Sequence, residues 1–176
     1  MAVIRLAVPT DAPRLPDIER SAGQIFRKIP GLEWIADDQV MTAEQHLPAI
    51  AAQTVWVGCE DDMAIAFLSA QQSADTLHIA EISVHASAMG QGLGRALIKT
   101  AIEAARLAGF SAVTLTTFRD VPWNEPYYQR LGFKTLHTHQ LDTHLAGILA
   151  DEIKDGLPKE RRCAMQLNLA LGPSPV

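Results

Sequence analysis

Gly90, Gly92 and Gly94 alternate through Met89-Gly90-Gln91-Gly92-Leu93-Gly94, between an apolar run ending at Val84 and a helical stripe beginning at Leu93. Glycines so placed let a backbone curl tightly and come close to a ligand, and the first turn of the following helix offers unpaired N–H groups to an anion. Such a loop suits a pyrophosphate. It is a poor dinucleotide fingerprint, because a third glycine or alanine would have to fall at Arg95 or Leu97, and the unit follows a meander instead of opening a βαβ. A P-loop fails too, since Lys99-Thr100 lies more than a turn too deep in the helix.

Other residues could carry chemistry. Glu81 interrupts an apolar strand, so its carboxylate faces either a polar cleft or solvent, or bears a desolvation cost. Tyr127 and Tyr128 are neighbours on a short helix and point about 100° apart, so only one can address a given atom. His137, His139 and His144 have no carboxylate or cysteine at ligand-like spacing; they read as solvated loop residues, and no metal is expected. His78, a strand histidine, ranks behind Glu81 as a base. Cys59 and Cys163 stand alone, as in a reduced protein, and Cys163 is assigned to packing.

The elements that must position these residues follow from periodicity. Val3 to Val8 reads as a strand, with Thr10 and Asp11 capping a helix whose stripe is Leu15, Ile18, Ala22, Ile25 and Phe26. Thr42-Ala43-Glu44-Gln45 has capping-box form and opens a second helix, weakened or shortened by Pro48. Three strands follow, Thr54 to Cys59, Ala64 to Ala70 and Thr76 to Val84, joined by polar turns as an antiparallel meander. After the glycines, Leu93, Leu97, Ile98, Ala101, Ile102 and Ala105 form a helix closed by Gly109. Strand Ser111 to Thr117, helix Asn124 to Leu131, strand Phe133 to Leu136, a helical stripe from Leu141 to Ile153 and strand Cys163 to Leu169 complete the chain. The strand, helix, strand unit calls for one parallel pair.

The chain has 176 residues, 48% hydrophobic and 20% charged, which suits one folded domain over residues 1–170 with a frayed tail over 171–176. Its 15 basic and 20 acidic residues give a net charge of -5, a poor field for a phosphodiester backbone, so no nucleic-acid partner is expected. Neither a leader nor an 18-residue apolar stretch is found, so the expectation is a cytoplasmic protein without a membrane partner.

The strand Glu81-Ile82-Ser83-Val84-His85, the glycine loop and helix Arg95 to Ala108 resemble the acyl-CoA signature of the GNAT superfamily of N-acetyltransferases. Pro122-Trp123-Asn124-Glu125-Pro126-Tyr127-Tyr128-Gln129-Arg130-Leu131-Gly132-Phe133 is similar to that superfamily's second motif, and the element order also fits. The implied fold is α/β of α+β type: a mixed, mostly antiparallel sheet of about seven strands splayed at a central parallel pair, with helices on both faces. Two departures stand out. Met89 occupies a position usually held by Gln or Arg, and Val121 stands where the motif's commoner Asn would fall, with Asn124 nearer the tyrosines.

The resemblance implies acetyl-CoA as co-substrate, held by Ile82, Ser83 and Val84 on the strand, by Met89, Gly90, Gln91, Gly92, Leu93, Gly94 and Arg95 on the loop and helix, and by Asn124, whose alternative role is to cap its helix. A lysine-like amine is neutral in only about one molecule in 2,500 at pH 7, so a base is needed, and Glu81 is the candidate. Tyr128 lies at the position of the superfamily's acid for the thiolate leaving group, and a backbone N–H near Val84 would meet the oxyanion. Phe26, Glu33 and Trp34 fall in the segment that walls the acceptor cleft and suit a small primary amine. The alternatives are a non-catalytic acyl-CoA-binding or sensing module and an acetyltransferase acting on a protein N-terminus; a homodimer is compatible with either.

Overall fold

The computed structural model describes residues 2–169, so the expected tail lies outside the described residues. Seven strands form one mixed sheet in the order β1-β2-β3-β4-β5-β7-β6, in which β4 and β5 are parallel, with helices around it. The chain divides into two compact units, Met1–Gln71 with Ala80–Ala104, and Gln72–Ile79 with Ala105–Val176.

In the first unit β1 (Val3–Leu6) pairs antiparallel with β2 (Val55–Glu60), and β2 with β3 (Met63–Ser73), the second ladder shifting register at Gly58/Cys59. Strand β3 runs past Ala70 to Ser73 before the turn, where Ala74 takes a positive φ of 49°. Helix α1 (Leu15–Gly23) is shorter than its stripe suggests, because Gln24–Lys28 tightens into a 3₁₀ turn. Asp11 does not cap α1. It lies in a preceding 3₁₀ turn, where its carboxylate accepts the Val8 N–H at 2.8 Å and the Arg5 guanidinium at 2.7 and 2.9 Å. Helix α2 (Ala43–Ala51) has the expected reciprocal cap between Thr42 and Gln45 and accommodates Pro48 internally. Leu15, Ile18, Ile50, Val55, Val57 and Phe67 form the core of this unit, and burying each contributes roughly 1.5–3 kcal/mol. Strand β4 (Thr76–Val84) ends in this unit and leads through the glycine loop into α3 (Leu93–Leu107).

In the second unit β5 (Ala112–Phe118) pairs in parallel with the start of β4, from Thr76↔Ala112 to Ile79↔Leu115, and the ladder ends there. Helix α4 (Glu125–Arg130), β6 (Lys134–Thr135), α5 (Thr143–Lys154) and β7 (Arg162–Asn168) follow. Strand β7 lies antiparallel to both β5 and β6. Glu152 of α5 accepts Arg162 at 2.8 and 2.9 Å and Thr116 at 2.5 Å, which ties α5 to β5 and β7.

Candidate functional site

In the first unit the end of β4 alternates its side chains as a strand must. Ser83, 4% exposed, donates its hydroxyl to Glu81 Oε1 at 2.8 Å, and Glu81 is half-buried. Ile82 and Val84 turn instead toward α3: a Cβ built on Gly94 would lie 3.9 Å from Ile82 Cδ1 and 3.8 Å from Val84 Cγ2.

The turn out of β4 is pinned at several points. Ala86 N–H donates to Ser21 Oγ at 3.0 Å, Ser87 N–H to His85 Nδ1 at 3.3 Å, and Gln91 Nε2 to the Ser87 carbonyl at 3.3 Å. Gly90 and Gly92 take φ of +78° and +83°, and a Cβ on either would meet nothing within 4 Å. The glycines thus set the curl and leave open space above it. Gly92 O accepts Ala96 N–H at 3.0 Å, starting the 15-residue helix α3, so the first-turn amides open toward the loop. Gly94 has an ordinary φ and room for a methyl group, so the protein alone does not require glycine there. A narrow anionic chain such as the pyrophosphate of CoA fits this cradle, with exposed Arg95 on its helix and exposed Met89 at its rim.

A second acid, not singled out from sequence, accompanies Glu81. Glu19 lies on α1, and burial first, then the negative charge of Glu81, push its carboxyl up to about 8. The Met41 backbone N–H donates to it, while its Oε2 is sealed from solvent with no partner. The signal was present in the helical stripe: Glu19 sits four residues after Leu15 and three before Ala22, an acid on the packed face. Phe26 is half-buried, whereas Glu33 and Trp34 are exposed on the 3₁₀ turn Glu33–Asp37. Arg27 pairs with Asp37 there at 2.5 and 3.1 Å, removing one carboxylate from the acidic segment.

In the second unit Asn124 precedes α4 without capping it. Its Nδ2 donates to Thr117 Oγ1 at 2.7 Å, and its Oδ1 is buried with no partner. The rings of the neighbouring tyrosines Tyr127 and Tyr128 do not simply part: they meet edge to face at 5.5 Å between centroids. Tyr128 is buried, edge-on to Phe133 at 5.8 Å between centroids, while half-buried Tyr127 lies under the Arg130 guanidinium at 5.8 Å. His78 is 3% exposed, with Nδ1 3.0 Å from Thr114 Oγ1. Burial, then the neighbouring His144, push its pKa down to about 4, so it is neutral at pH 7. His144 is not a solvated loop residue: it stands in the first turn of α5, edge-on to His78 at 5.5 Å, with Nε2 buried and unpartnered. His137 and His139 are exposed and stacked at 5.8 Å. Cys163 is buried, and desolvation raises its thiol to about 11, which suits packing and not attack. Among the described residues no group of three His, Cys, Asp or Glu could hold a metal, and no helix is long and apolar enough to cross a membrane.

The family model of the acetyltransferase (GNAT) family matches residues 23–133, well over half of the chain, and spans the β4 end, the glycine cradle and α4. The chain belongs to this family. Among solved structures this GNAT chain is similar to the PaiA N-acetyltransferase of Thermoplasma acidophilum in complex with coenzyme A, with TM-score 0.71 and 16% identity over 96% of this chain and 99% of that one. It is also similar to N-acetylglutamate synthase of Neisseria gonorrhoeae complexed with coenzyme A and N-acetyl-glutamate, at 0.72 and 17% over 97% of this chain and 35% of that one. The ribosomal-protein-S18-alanine N-acetyltransferase of Escherichia coli matches at 0.64 and 19% over 100% and 99%. At these identities the likeness is one of fold.

Proposed function

We propose that this GNAT protein transfers the acetyl group of acetyl-CoA directly to a primary amine of a small molecule, in the cytoplasm. The observation that carries the reading is the glycine cradle, with open space above Gly90 and Gly92 at the start of α3, immediately after a strand end bearing a hydrogen-bonded carboxylate. Acetyl-CoA supplies the activated thioester. Backbone N–H groups from Met89 to Arg95 hold its pyrophosphate, which keeps anion binding possible at a net charge of -5. Ile82, Ser83 and Val84 line the acyl arm, and the unpartnered Asn124 Oδ1 is an acceptor for an amide N–H of that arm.

The remaining steps fall to three groups. Glu81 accepts the proton that the incoming ammonium must lose, with Ser83 fixing its carboxylate. The Val84 backbone N–H stabilises the oxyanion that develops as the amine nitrogen attacks the thioester carbon. Tyr128 donates its phenolic proton as the carbon–sulfur bond breaks, the acylated nitrogen sheds its second proton to water, and the phenolate regains a proton from water, so one proton in all, held first by Glu81, is released to solvent. Phe26 and Trp34 supply apolar and aromatic surface for the acceptor, and Glu33 supplies charge.

Incubation with acetyl-CoA and a panel of amines, followed by mass spectrometry, tests the reading. A mass gain of one acetyl group on a small amine supports it. Acetylation of peptide N-termini alone moves the acceptor to proteins, and CoA binding without any product leaves a binding module.

A further inference from the structure

Consecutive amides at the end of β4 find their partners on different elements. The His85 N–H donates to the Ile65 carbonyl of β3 at 2.9 Å. Successive N–H groups of a strand point to opposite sides, so the Val84 N–H points away from β3. The next amide, Ala86, donates to Ser21 Oγ at 3.0 Å, on α1 and 65 residues away along the chain. The amides that follow bond inside the turn: Ser87 to His85 Nδ1 at 3.3 Å, Ala88 to the His85 carbonyl at 2.9 Å and Met89 to the Ala86 carbonyl at 3.4 Å. From Ala86 to Gly92 only Ala88 is buried, and a Cβ on Gly90 or Gly92 would meet nothing within 4 Å. Packing therefore holds this stretch at one methyl group, and the Ser21 bond ties it to a helix. That helix is itself fixed, because Ile18, one turn before half-buried Ser21, is fully buried in the core of the unit.

We propose that Ser21 is a positioning residue for the cofactor: its hydroxyl oxygen holds the Ala86 amide and so orders the glycine curl before the pyrophosphate arrives. This rests on the reading of that curl as the acetyl-CoA cradle. The cradle amides must converge on one anion, and freedom that the turn keeps in the empty protein is lost on binding, which lowers affinity. A bond that removes this freedom beforehand returns as affinity for the cofactor. It adds nothing at the reacting carbon, because the bound cofactor orders the turn in any case. Ser21 acts through Ala86 and touches neither substrate.

The test is calorimetry with CoA beside amide hydrogen exchange, for wild type, Ser21→Ala and Ser21→Thr. Alanine removes the acceptor oxygen and is the better helix former, whereas threonine keeps the oxygen. Ser21→Ala is expected to weaken CoA about fivefold, as the loss of one hydrogen bond implies, and Ser21→Thr to stay within about twofold of wild type. With an amine that turns over, Ser21→Ala should raise the acetyl-CoA KM by a similar factor and leave kcat within about twofold. Without CoA, the amides of residues 86–92 should exchange about fivefold or more faster in Ser21→Ala than in wild type; with CoA bound, the two should exchange alike. Unchanged CoA affinity in Ser21→Ala overturns the proposal, as does an equal weakening in Ser21→Thr. Faster exchange in Ser21→Ala both with and without CoA marks a merely structural role and overturns it too. If wild type binds CoA and Ser21→Ala binds it equally, this inference falls while the cradle reading stands. If wild type binds no CoA, both fall.

Discussion

Ser83 Oγ donates to Glu81 Oε1 at 2.8 Å, two residues apart on the same face of β4. The bond fixes the position of one carboxylate oxygen, as a base needs. Glu81→Gln keeps the shape and removes the basicity, so kcat should fall about 100-fold or more with little change in Tm. Ser83→Ala should cost about 5- to 20-fold in kcat/KM, since it loses one hydrogen bond to a charged group. Steady-state kinetics beside thermal melts check both.

The cradle glycines separate ligand from fold. Gly94→Ala has room in the protein and adds a better helix former, so its Tm should rise or hold. Its methyl would face Ile82 and Val84 and not the open space of the curl, so the KM for acetyl-CoA should stay within about twofold. Gly92→Ala meets open space but forces alanine into φ near +83°, so its Tm should fall, by about 1 kcal/mol in stability. A methyl at Gly92 also enters the space assigned to the pyrophosphate, so if Gly92→Ala binds CoA as wild type does, by calorimetry, the cradle is misplaced.

The folded-state pKa of Glu19, about 8, lies above its unfolded value near 4.5. Between those values the folded protein holds a proton that the unfolded chain has lost, so this group's contribution to stability is full below about pH 4.5 and is lost as pH rises toward 8. The effect is on the order of a few kcal/mol, reduced by solvent screening. Glu19→Gln should therefore melt higher than wild type at pH 8.5, and the difference should shrink toward pH 5. His78 acts in the opposite direction: its folded value of about 4 lies below the unfolded 6.5, so its contribution is present above pH 6.5 and is lost as pH falls toward 4. His78→Asn should flatten that acid limb in melts from pH 4 to 7.

His46 of α2 is fully buried, edge-on to Phe67 at 5.4 Å, and neither ring nitrogen has a hydrogen-bond partner. Burial lowers its pKa, so a neutral ring with an unsatisfied N–H is sealed in the core. His46→Leu should stabilise the protein by about 1–2 kcal/mol, read as a higher urea midpoint.

Much of this architecture is written in short-range signals. The Thr42 and Gln45 cap, the glycine at Gly109 with φ of +81°, and the strand-to-helix switch at Leu93 are local, and the folded chain uses each of them. Residues whose partners lie far along the chain were harder to read. Asp11 looked like a cap for α1, but the decisive partner is Arg5 on β1. Asn124 looked able to cap α4, and its amide instead reaches Thr117 on β5. His144 has the sequence surroundings of a solvated residue, and only the packing of α5 brings it against His78. Glu19 was hidden for the opposite reason: a lone acid in an apolar stripe is easily passed over until its neighbour Glu81 is known.

The central claim is best tested by the initial rate of free CoA thiol release with a small primary amine, for wild type, Glu81→Gln, Tyr128→Phe and Tyr127→Phe. Tyr128 is buried and Tyr127 half-buried, and their rings meet edge to face, so removing the Tyr127 hydroxyl leaves that packing in place and only Tyr128→Phe should slow turnover. Wild type is expected to show amine-dependent release, Glu81→Gln a loss of about 100-fold or more, Tyr128→Phe a loss of about tenfold or more, and Tyr127→Phe near wild-type rates. No amine-dependent release by wild type, or full turnover in both Glu81→Gln and Tyr128→Phe, would contradict it.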